Sequence, residues 1–438
     1  MLADFAGKRV LLLQGPNGPF FRRLGEALRS AGAIVTKINL NAADQLFYPG
    51  PDALAYRGTL EDWPDFLDGV LRERSIDCAF LFGDCRPYHV GARPMLDRNG
   101  VEPFVVEEGY LRPDHLTIEP GGVNVNSRMS RDPDSYTRPA GAPPAIQPVR
   151  SAFGWSVFYT ILNSLCITLF GFLYPHYRHH RDVNTWRQAL RWGWGFVRRF
   201  RHLGPERRVL EKLSGPLSKR YFLAALQVHN DYQVKNSRFG DVRTFLLEVV
   251  DSFARHANPS DYLVVKHHPA DRAYRDYGKL LRQLAVDTGL GERLIYVHDP
   301  HLPTLLKHAK GTVVINSTIA FSSFHHKTPV KALGVAVYDW MGLSAPGELE
   351  DFWNDPPAVD IARYQLIRHW LLHHNQVNGS VWVPIAACSP HGFAWPPGLA
   401  PRRRASNPAP LPDQLPHHAV REELAGLRPR LASSPGSE

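Results

Sequence analysis

Two stretches of this chain alternate short apolar runs with amphipathic segments, and a stretch unlike either separates them. In the first, Val10-Leu-Leu-Leu13 is continuously apolar, as a strand buried on both faces must be. Gly15-Pro-Asn-Gly-Pro19 breaks it, and Phe20 to Ala31 reads as a helix with Leu24, Ala27 and Leu28 on one side and Gly32 as its cap. Ala33–Leu40, Cys78–Phe82 and Pro103–Val106 continue as strands, with helices near Asp65–Glu73 and Val90–Arg98. The second stretch has strands at Tyr221–Leu226, Tyr262–Lys266, Leu294–Val297 and Thr312–Ile315, with helices at Val242–His256, Arg275–Thr288 and Leu302–His308. Strands separated by helices pair in parallel under helical cover. The expected fold is therefore α/β, with two Rossmann-like domains facing a cleft.

The intervening stretch sets the domain boundaries. Pro139–Pro148 is a Pro/Ala linker, and Ala152–Tyr174 then runs 23 residues without a charge. Basic and Trp-rich sequence follows: Arg178-His-His-Arg181, Trp192, Trp194 and Arg198-Arg-Phe-Arg201. The run is long enough to span a bilayer. A single span would put the two domains on opposite sides, however, so an interfacial or buried apolar, basic-flanked helical insert is expected. The expected division is an N-terminal Rossmann-like domain at 1–137, the linker and insert at 138–215 and a nucleotide-sugar-binding Rossmann-like domain at 216–345. A C-terminal helical segment at 346–395 and a disordered, Pro- and Arg-rich tail at 396–438 complete it.

Composition narrows the function classes. With 51 basic and 42 acidic residues the formal charge is +9, a modest excess suited to a phospholipid surface or phosphorylated substrate rather than nucleic acid. The four cysteines, Cys78, Cys85, Cys166 and Cys388, form no C-x-x-C pair, which argues against a zinc site and for a reducing compartment. The opening residues carry no long apolar run, so a cytoplasmic protein is expected. The 21 histidines show no metal spacing, and Asp132-Pro-Asp134 follows no strand, so no metal is expected.

Ligands of open α/β sheets sit beyond the carboxyl ends of the strands, and three polar clusters fall there. The turn Gln14-Gly-Pro-Asn17-Gly offers backbone N–H groups, with Arg22 and Arg23 as cationic donors for a carboxylate or phosphate. Asp84 and Arg86 end one strand; Glu107 and Glu108 end the next, with Arg112 beyond. Paired carboxylates divide acid, base and nucleophile roles. Successive strand residues face opposite sides, so one of Glu107 and Glu108 should point into the cleft. The alternative is that these acids pair with Arg86 and Arg112. The third cluster joins Gln227, His267, His268, Pro269, Asn316, Ser317 and Thr318, where imidazoles and a helix N-terminus near Ile319 suit a nucleotide phosphate or ribose. The alternative here is simple capping of strand ends.

These motifs resemble a known family. Leu13-Gln-Gly-Pro-Asn-Gly-Pro-Phe-Phe21, Lys37-Ile-Asn39, Leu81-Phe-Gly-Asp-Cys-Arg-Pro87, Glu107-Glu-Gly-Tyr-Leu-Arg-Pro113, Leu226-Gln-Val-His-Asn230, Lys266-His-His-Pro269, Ile315-Asn-Ser-Thr318 and Tyr338-Asp339 are similar to those of capsule polysaccharide biosynthesis proteins of the KpsS/LipB type, over roughly residues 8–355. The resemblance implies a GT-B-like fold and a retaining β-Kdo transferase that adds the first Kdo from CMP-Kdo to (lyso)phosphatidylglycerol at the inner leaflet. It implies no cofactor beyond that donor. The implied location is cytoplasmic and peripheral at the inner membrane. The implied partners are the membrane surface, a KpsC-type transferase that extends the Kdo linker, and an ABC capsule exporter. In related Kdo transferases a Glu-Asp-Gly-Phe stretch supplies an Asp nucleophile; Glu108 stands at that place here, with Asp84 as second candidate. His268-Pro269 would touch the CMP phosphate or the Kdo carboxylate, and Asn316, Ser317 and Thr318 match the nucleotide-side loop. Two rivals remain: an enzyme transferring a polyol phosphate from a CDP-linked donor, and a non-enzymatic export or scaffold factor.

Overall fold

A computed structural model describes residues 2–179, 185–235 and 237–401, with only part of the side chains in the helix Thr185–Ser214. Thirteen strands are described: β1 (Arg9–Leu12), β2 (Ile34–Asn39), β3 (Ala53–Ala55), β4 (Cys78–Phe82), β5 (Glu102–Glu108), β6 (His115–Pro120), β7 (Tyr221–Ala225), β8 (Tyr262–Lys266), β9 (Leu294–Val297), β10 (Gly311–Val314), β11 (Val330–Ala332), β12 (Gln376–Gly379) and β13 (Phe393–Ala394). They form two sheets, ordered β13-β12-β6-β5-β4-β1-β2-β3 and β11-β10-β7-β8-β9.

The five-stranded parallel part of the first sheet, β5-β4-β1-β2-β3, has the same permutation as the whole second sheet. The chain starts in the middle of each sheet, winds outward, then returns to build the other side. Each sheet thus has a switch point, between β1 and β4 and between β7 and β10, where connections leave in opposite directions and open a crevice. The apolar runs are what allow this. Val10 and Leu12 enter one core layer and Leu11 the other, so helices cover both faces.

Several elements escaped the reading by apolar runs. The helix Ala42–Phe47 is short, and β6 and β12 carry polar side chains into the interior. Those side chains are buried because partners meet them: Gln376 Nε2 donates to Thr117 Oγ1 at 3.0 Å, and Asn378 Nδ2 donates to the Asp114 carbonyl at 2.7 Å. The segment expected as C-terminal helix contains the helix Ile361–His374, but then crosses back and extends the first sheet antiparallel. The expected tail boundary also moves. Leu399 is buried, and the Trp395 indole donates to its carbonyl at 2.8 Å while packing edge-on against Phe5. Pro396 and Leu399 therefore anchor residues 396–401 to the folded body; 402–438 lie outside the described residues.

The uncharged run folds as a helix, Phe153–Leu169, and a 3-10 turn, Gly171–Leu173. Among the described residues no helix is long and apolar enough to cross a membrane. One face of the helix packs on the first half of the molecule, where Tyr159 meets Phe47 with ring centroids 5.9 Å apart. Gly18, at φ 113°, lies so close to Tyr159 that an added Cβ would sit 3.1 Å from its ring. The chain then returns through Tyr174, whose hydroxyl donates to Gln45 Oε1 at 3.0 Å, and Tyr177, which stacks on Tyr88. Arg181 and the side chains of Trp192 and Trp194 lie outside the described residues. The halves meet in a shared cluster in which Tyr110 stacks on Phe321 at 5.8 Å.

Candidate functional site

The first sheet's strand ends concentrate acid. After β4 the chain turns at Gly83 in the left-handed region, φ 70°, where its N–H donates to the Val106 carbonyl and its own carbonyl binds His89 Nδ1. Asp84 follows, held by Asn126 Nδ2 at 3.0 Å and the Val123 amide at 3.4 Å, with the Cys85 thiol donating to its other oxygen. Glu107, on the neighbouring strand, lies against Gly83. Burial, then the charges of Asp84 and Glu108, push its carboxyl up to about 8; Arg86 opposes this and Asp231 of the second half adds to it. Glu108 has a different environment. It is exposed and pairs with Arg112 at 3.0 Å. The two glutamates thus separate, as strand alternation requires, and it is Glu107 that enters the crowded acidic cluster.

Sequence reasoning missed Glu119. It is buried on β6 and pushed up to about 7 by its burial, against hydrogen bonds from Ser127, Tyr110 and Asn375, the last at 3.1 Å. Only the antiparallel pairing of β6 on β5 brings it behind Glu107. No spacing rule in the sequence signals that.

Not every expected donor reaches the cleft. Arg23 is half-buried over the Phe20 ring and donates to the carbonyls of Ser380 at 2.9 Å, Val381 and His391. It ties the C-terminal extension to the first half, which removes it from substrate. Arg22 is half-exposed and paired with Glu26 at 3.0 Å. Gln14 is buried and donates to the Tyr177 hydroxyl at 2.8 Å, Asn17 sits half-buried in the glycine turn, and Arg86 donates to the Gly15 carbonyl at 2.9 Å. Beside this turn Lys37 and Asp44 are buried together; burial brings the ammonium down to about 8 and raises the carboxyl.

The second sheet's strand ends concentrate imidazole and amide. At the switch point Gln227 Nε2 donates to Asn316 Oδ1 at 3.0 Å, and the Asn316 amide donates back to Gln227 Oε1 at 3.3 Å. Ser317 Oγ accepts from the Ile319 amide at 3.4 Å, Thr318 stands at the N-cap position of the helix Ile319–His325 without a side-chain bond to it, and both are half-buried. His268 is brought down to about 4 by burial, then by Lys266 and by Arg112 of the first half. Its Nδ1 accepts from the Ala270 amide at 3.2 Å, so the neutral ring carries its proton on Nε2 and is a donor there. Pro269 opens the 3-10 turn that fixes this geometry. His267 departs from expectation: it is 1% exposed, bonds the Tyr296 hydroxyl at 2.8 Å through Nδ1, and is part of the interior. In its place the structure presents His229, whose ring binds buried Asp271 while its amide donates to the same carboxylate at 2.9 Å. The signal was available, since Asp271 lies three residues after His268, one 3-10 turn along.

The two sets of strand ends lie within electrostatic reach of each other, as the effects of Asp231 on Glu107 and of Arg112 on His268 require. The arrangement can hold an anionic, phosphate-bearing molecule against neutral donors on one side and present carboxyls to it from the other.

A separate group, His202, Glu206 and His298, brings three potential ligand atoms within 4.8 Å of one another. The two imidazoles stack at 3.9 Å and 18°, so their in-plane lone pairs run side by side rather than converge. Glu206 accepts from the His298 ring at 3.0 Å and the Asp299 amide at 2.8 Å, capping the end of β9. Hydrogen bonds account for Glu206 and His298, and His202 adds a stacked ring.

The family model "Capsule polysaccharide biosynthesis protein" matches residues 77–382. The capsule polysaccharide export protein KpsS of Escherichia coli is 40% identical over 379 residues, covering 85% of this chain and 96% of that one. The capsule polysaccharide modification protein LipB of Neisseria meningitidis serogroup A is 36% identical over 391 residues, covering 87% and 93%. Among solved structures, the β-Kdo 2,7 transferase KpsC of Thermosulfurimonas dismutans is similar over 83% of this chain and 89% of that chain, at 14% identity and a TM-score of 0.40.

Proposed function

The chain belongs to the capsule polysaccharide biosynthesis family, and on that premise we propose that it is a retaining β-Kdo transferase, which moves Kdo from CMP-Kdo to (lyso)phosphatidylglycerol at the cytoplasmic face of the inner membrane. One observation carries the reading. A crowded carboxyl cluster at the ends of β4 and β5 faces neutral imidazole and amide donors at the ends of β7, β8 and β10.

The chemistry follows from the two environments. Glu108, exposed at the end of β5 beside Arg112, attacks the anomeric carbon. The bond from that carbon to the phosphate oxygen breaks, and its electron pair leaves on CMP. The His268 Nε2–H and the amides around Asn316 stabilise the departing phosphate. A glycerol hydroxyl of the lipid then attacks the adduct from the opposite side, displacing Glu108, so configuration is retained. The hydroxyl proton passes to Glu107, whose affinity near pH 8 suits a base for an alcohol better than an ordinary carboxylate would. Asp84, anchored by Asn126, holds Glu107's affinity up. A KpsC-type transferase and an ABC exporter would act on the product.

The test is direct. Purified protein is incubated with CMP-Kdo, made in situ, and fluorescent phosphatidylglycerol, and the lipid is weighed by mass spectrometry. One added Kdo is expected. No addition with intact donor and folded protein overturns the reading, and transfer from a CDP-linked polyol donor in the same assay would replace it.

A further inference from the structure

Fifteen large hydrophobic side chains are exposed among the described residues, and nine of them fall between Phe153 and Leu173. The helix Phe153–Leu169 explains the concentration. Tyr159, Asn163 and Cys166 turn inward against the first half of the molecule, while Phe158, Ile161, Leu165 and Leu169 follow three- and four-residue spacing on an outer face, with exposed Trp155 at its border stacked on Tyr159. Trp155 is 51% exposed, Leu169 62%, and Phe172 in the following turn 74%. A continuous apolar ridge of this kind marks an interaction surface rather than ordinary surface scatter.

We propose that this ridge is the protein's bilayer-docking element, lying in the plane of an anionic membrane. Three features select that occupant. From Ser151 to Pro175 there is no ionisable side chain apart from tyrosine and cysteine, while exposed cations bracket the run, Arg150 before it and Arg178 after it. A third, Arg57, lies over the ring of Tyr174, where the segment rejoins the first half. Apolar side chains flanked by cations match the layering of acyl chains beneath anionic headgroups. The length fits lying rather than crossing: 17 residues rise roughly 26 Å at 1.5 Å each, short of the ~30 Å hydrocarbon core. The inward face is locked to the protein by Tyr159 against Gly18 and Phe47, so the helix cannot turn end-on without unpacking.

The lock has a consequence for access. Gly18 and Phe47, which Tyr159 touches, also line a shallow crevice between the glycine turn and the helix Ala42–Phe47, with Arg22, Lys37 and Asp44 on its wall. Docking on the ridge brings that crevice to the headgroup layer, the depth at which a lipid acceptor offers its glycerol. The inference rests on the proposed lipid acceptor for this consequence alone; the docking itself stands on the ridge.

The experiment separates the two. The full-length protein is floated with vesicles of phosphatidylcholine alone or mixed with phosphatidylglycerol, alongside the combined variant Phe158→Ser, Leu169→Ser, Phe172→Ser. The wild type should float with the mixed vesicles, more weakly at high salt, and the variant should lose about tenfold in partition. Lipids brominated in the acyl chains should quench tryptophan emission in the wild type and less in Trp155→Phe. The variant should keep transfer to a short-chain acceptor dispersed in detergent and lose it on vesicles. Equal flotation of variant and wild type overturns the proposal. So does a wild-type dimer in light scattering that the variant dissociates, since a second copy would then own the ridge. Flotation reads correctly whether or not Kdo is the sugar transferred.

Discussion

The two halves wind their strands in the same order yet end them in opposite chemistry. Asp84 stands just beyond β4 and Glu107 and Glu108 end β5; beyond β7, β8 and β10 stand Gln227, His268 and Asn316. Burial acts on both by the same rule, favouring the uncharged form, with opposite consequences. It raises Glu107 to about 8 and so keeps a proton on it, and it lowers His268 to about 4 and so keeps a proton off. One half therefore holds a base that works only as pH climbs, the other a donor insensitive to pH across the neutral range. One architecture supplies two different surfaces because the strand ends and the loops that follow them carry the chemistry.

The largest effect expected from disturbing this contrast is at Glu108. Glu108→Gln should lower transfer by at least about a thousandfold with the melting temperature unchanged, since an exposed side chain contributes little to packing. If Glu107→Gln showed the thousandfold loss and Glu108→Gln did not, the roles assigned to the two would be exchanged. Glu107→Gln itself should cost about a hundredfold. It should also flatten the pH–rate profile, which in the wild type should rise through about pH 8 as Glu107 loses its proton.

The same group tests the energetics. Because its folded affinity is raised from 4.5 to about 8, Glu107 contributes its full stability below about pH 4.5 and loses it as pH climbs through about 8. The melting temperature of Glu107→Gln should therefore gain on wild type across that window. A constant difference between the two curves would show that Glu107 does not titrate there. On the imidazole side, His268→Ala should lower kcat/KM about tenfold to a hundredfold by removing a phosphate donor. His267→Ala should instead act on stability, because its ring is interior.

The smallest catalytic effect belongs to Arg23. Arg23→Ala should leave KM near wild type and destabilise the fold by about 1–3 kcal/mol, measured by urea unfolding, because it strands three carbonyls. A large rise in KM with stability intact would return Arg23 to the substrate side.

Much of the framework could be read from the residues. The runs Val10–Leu13 and Cys78–Phe82 are apolar because their strands are buried on both faces, and that local pattern survives without knowledge of neighbours. The strand-end positions of Asp84, His268 and Asn316 follow from the runs Cys78–Phe82, Tyr262–Lys266 and Thr312–Ile315. The polar strands β6 and β12 could not be read this way, because Glu119, Asn375 and Gln376 are buried only on account of one another. Nor could the separation of neighbours of like type: His267 from His268, Glu107 from Glu108, Arg22 from Arg23. In each pair the two side chains enter different surroundings, and a sequence lists them side by side.

The sequence by itself determined the alternating architecture, the uncharged insert and the acidic and imidazole character of the two sets of strand ends. All of these are written in local pattern, where each residue's contribution depends on its near neighbours. Only the tertiary structure decided which carboxyl holds its proton, which arginine is structural, and that the last strands return to the first sheet. Those outcomes depend on desolvation and on polar and charged groups brought together across more than a hundred residues of chain, such as Asp231 within electrostatic reach of Glu107 and Asn375 against Glu119.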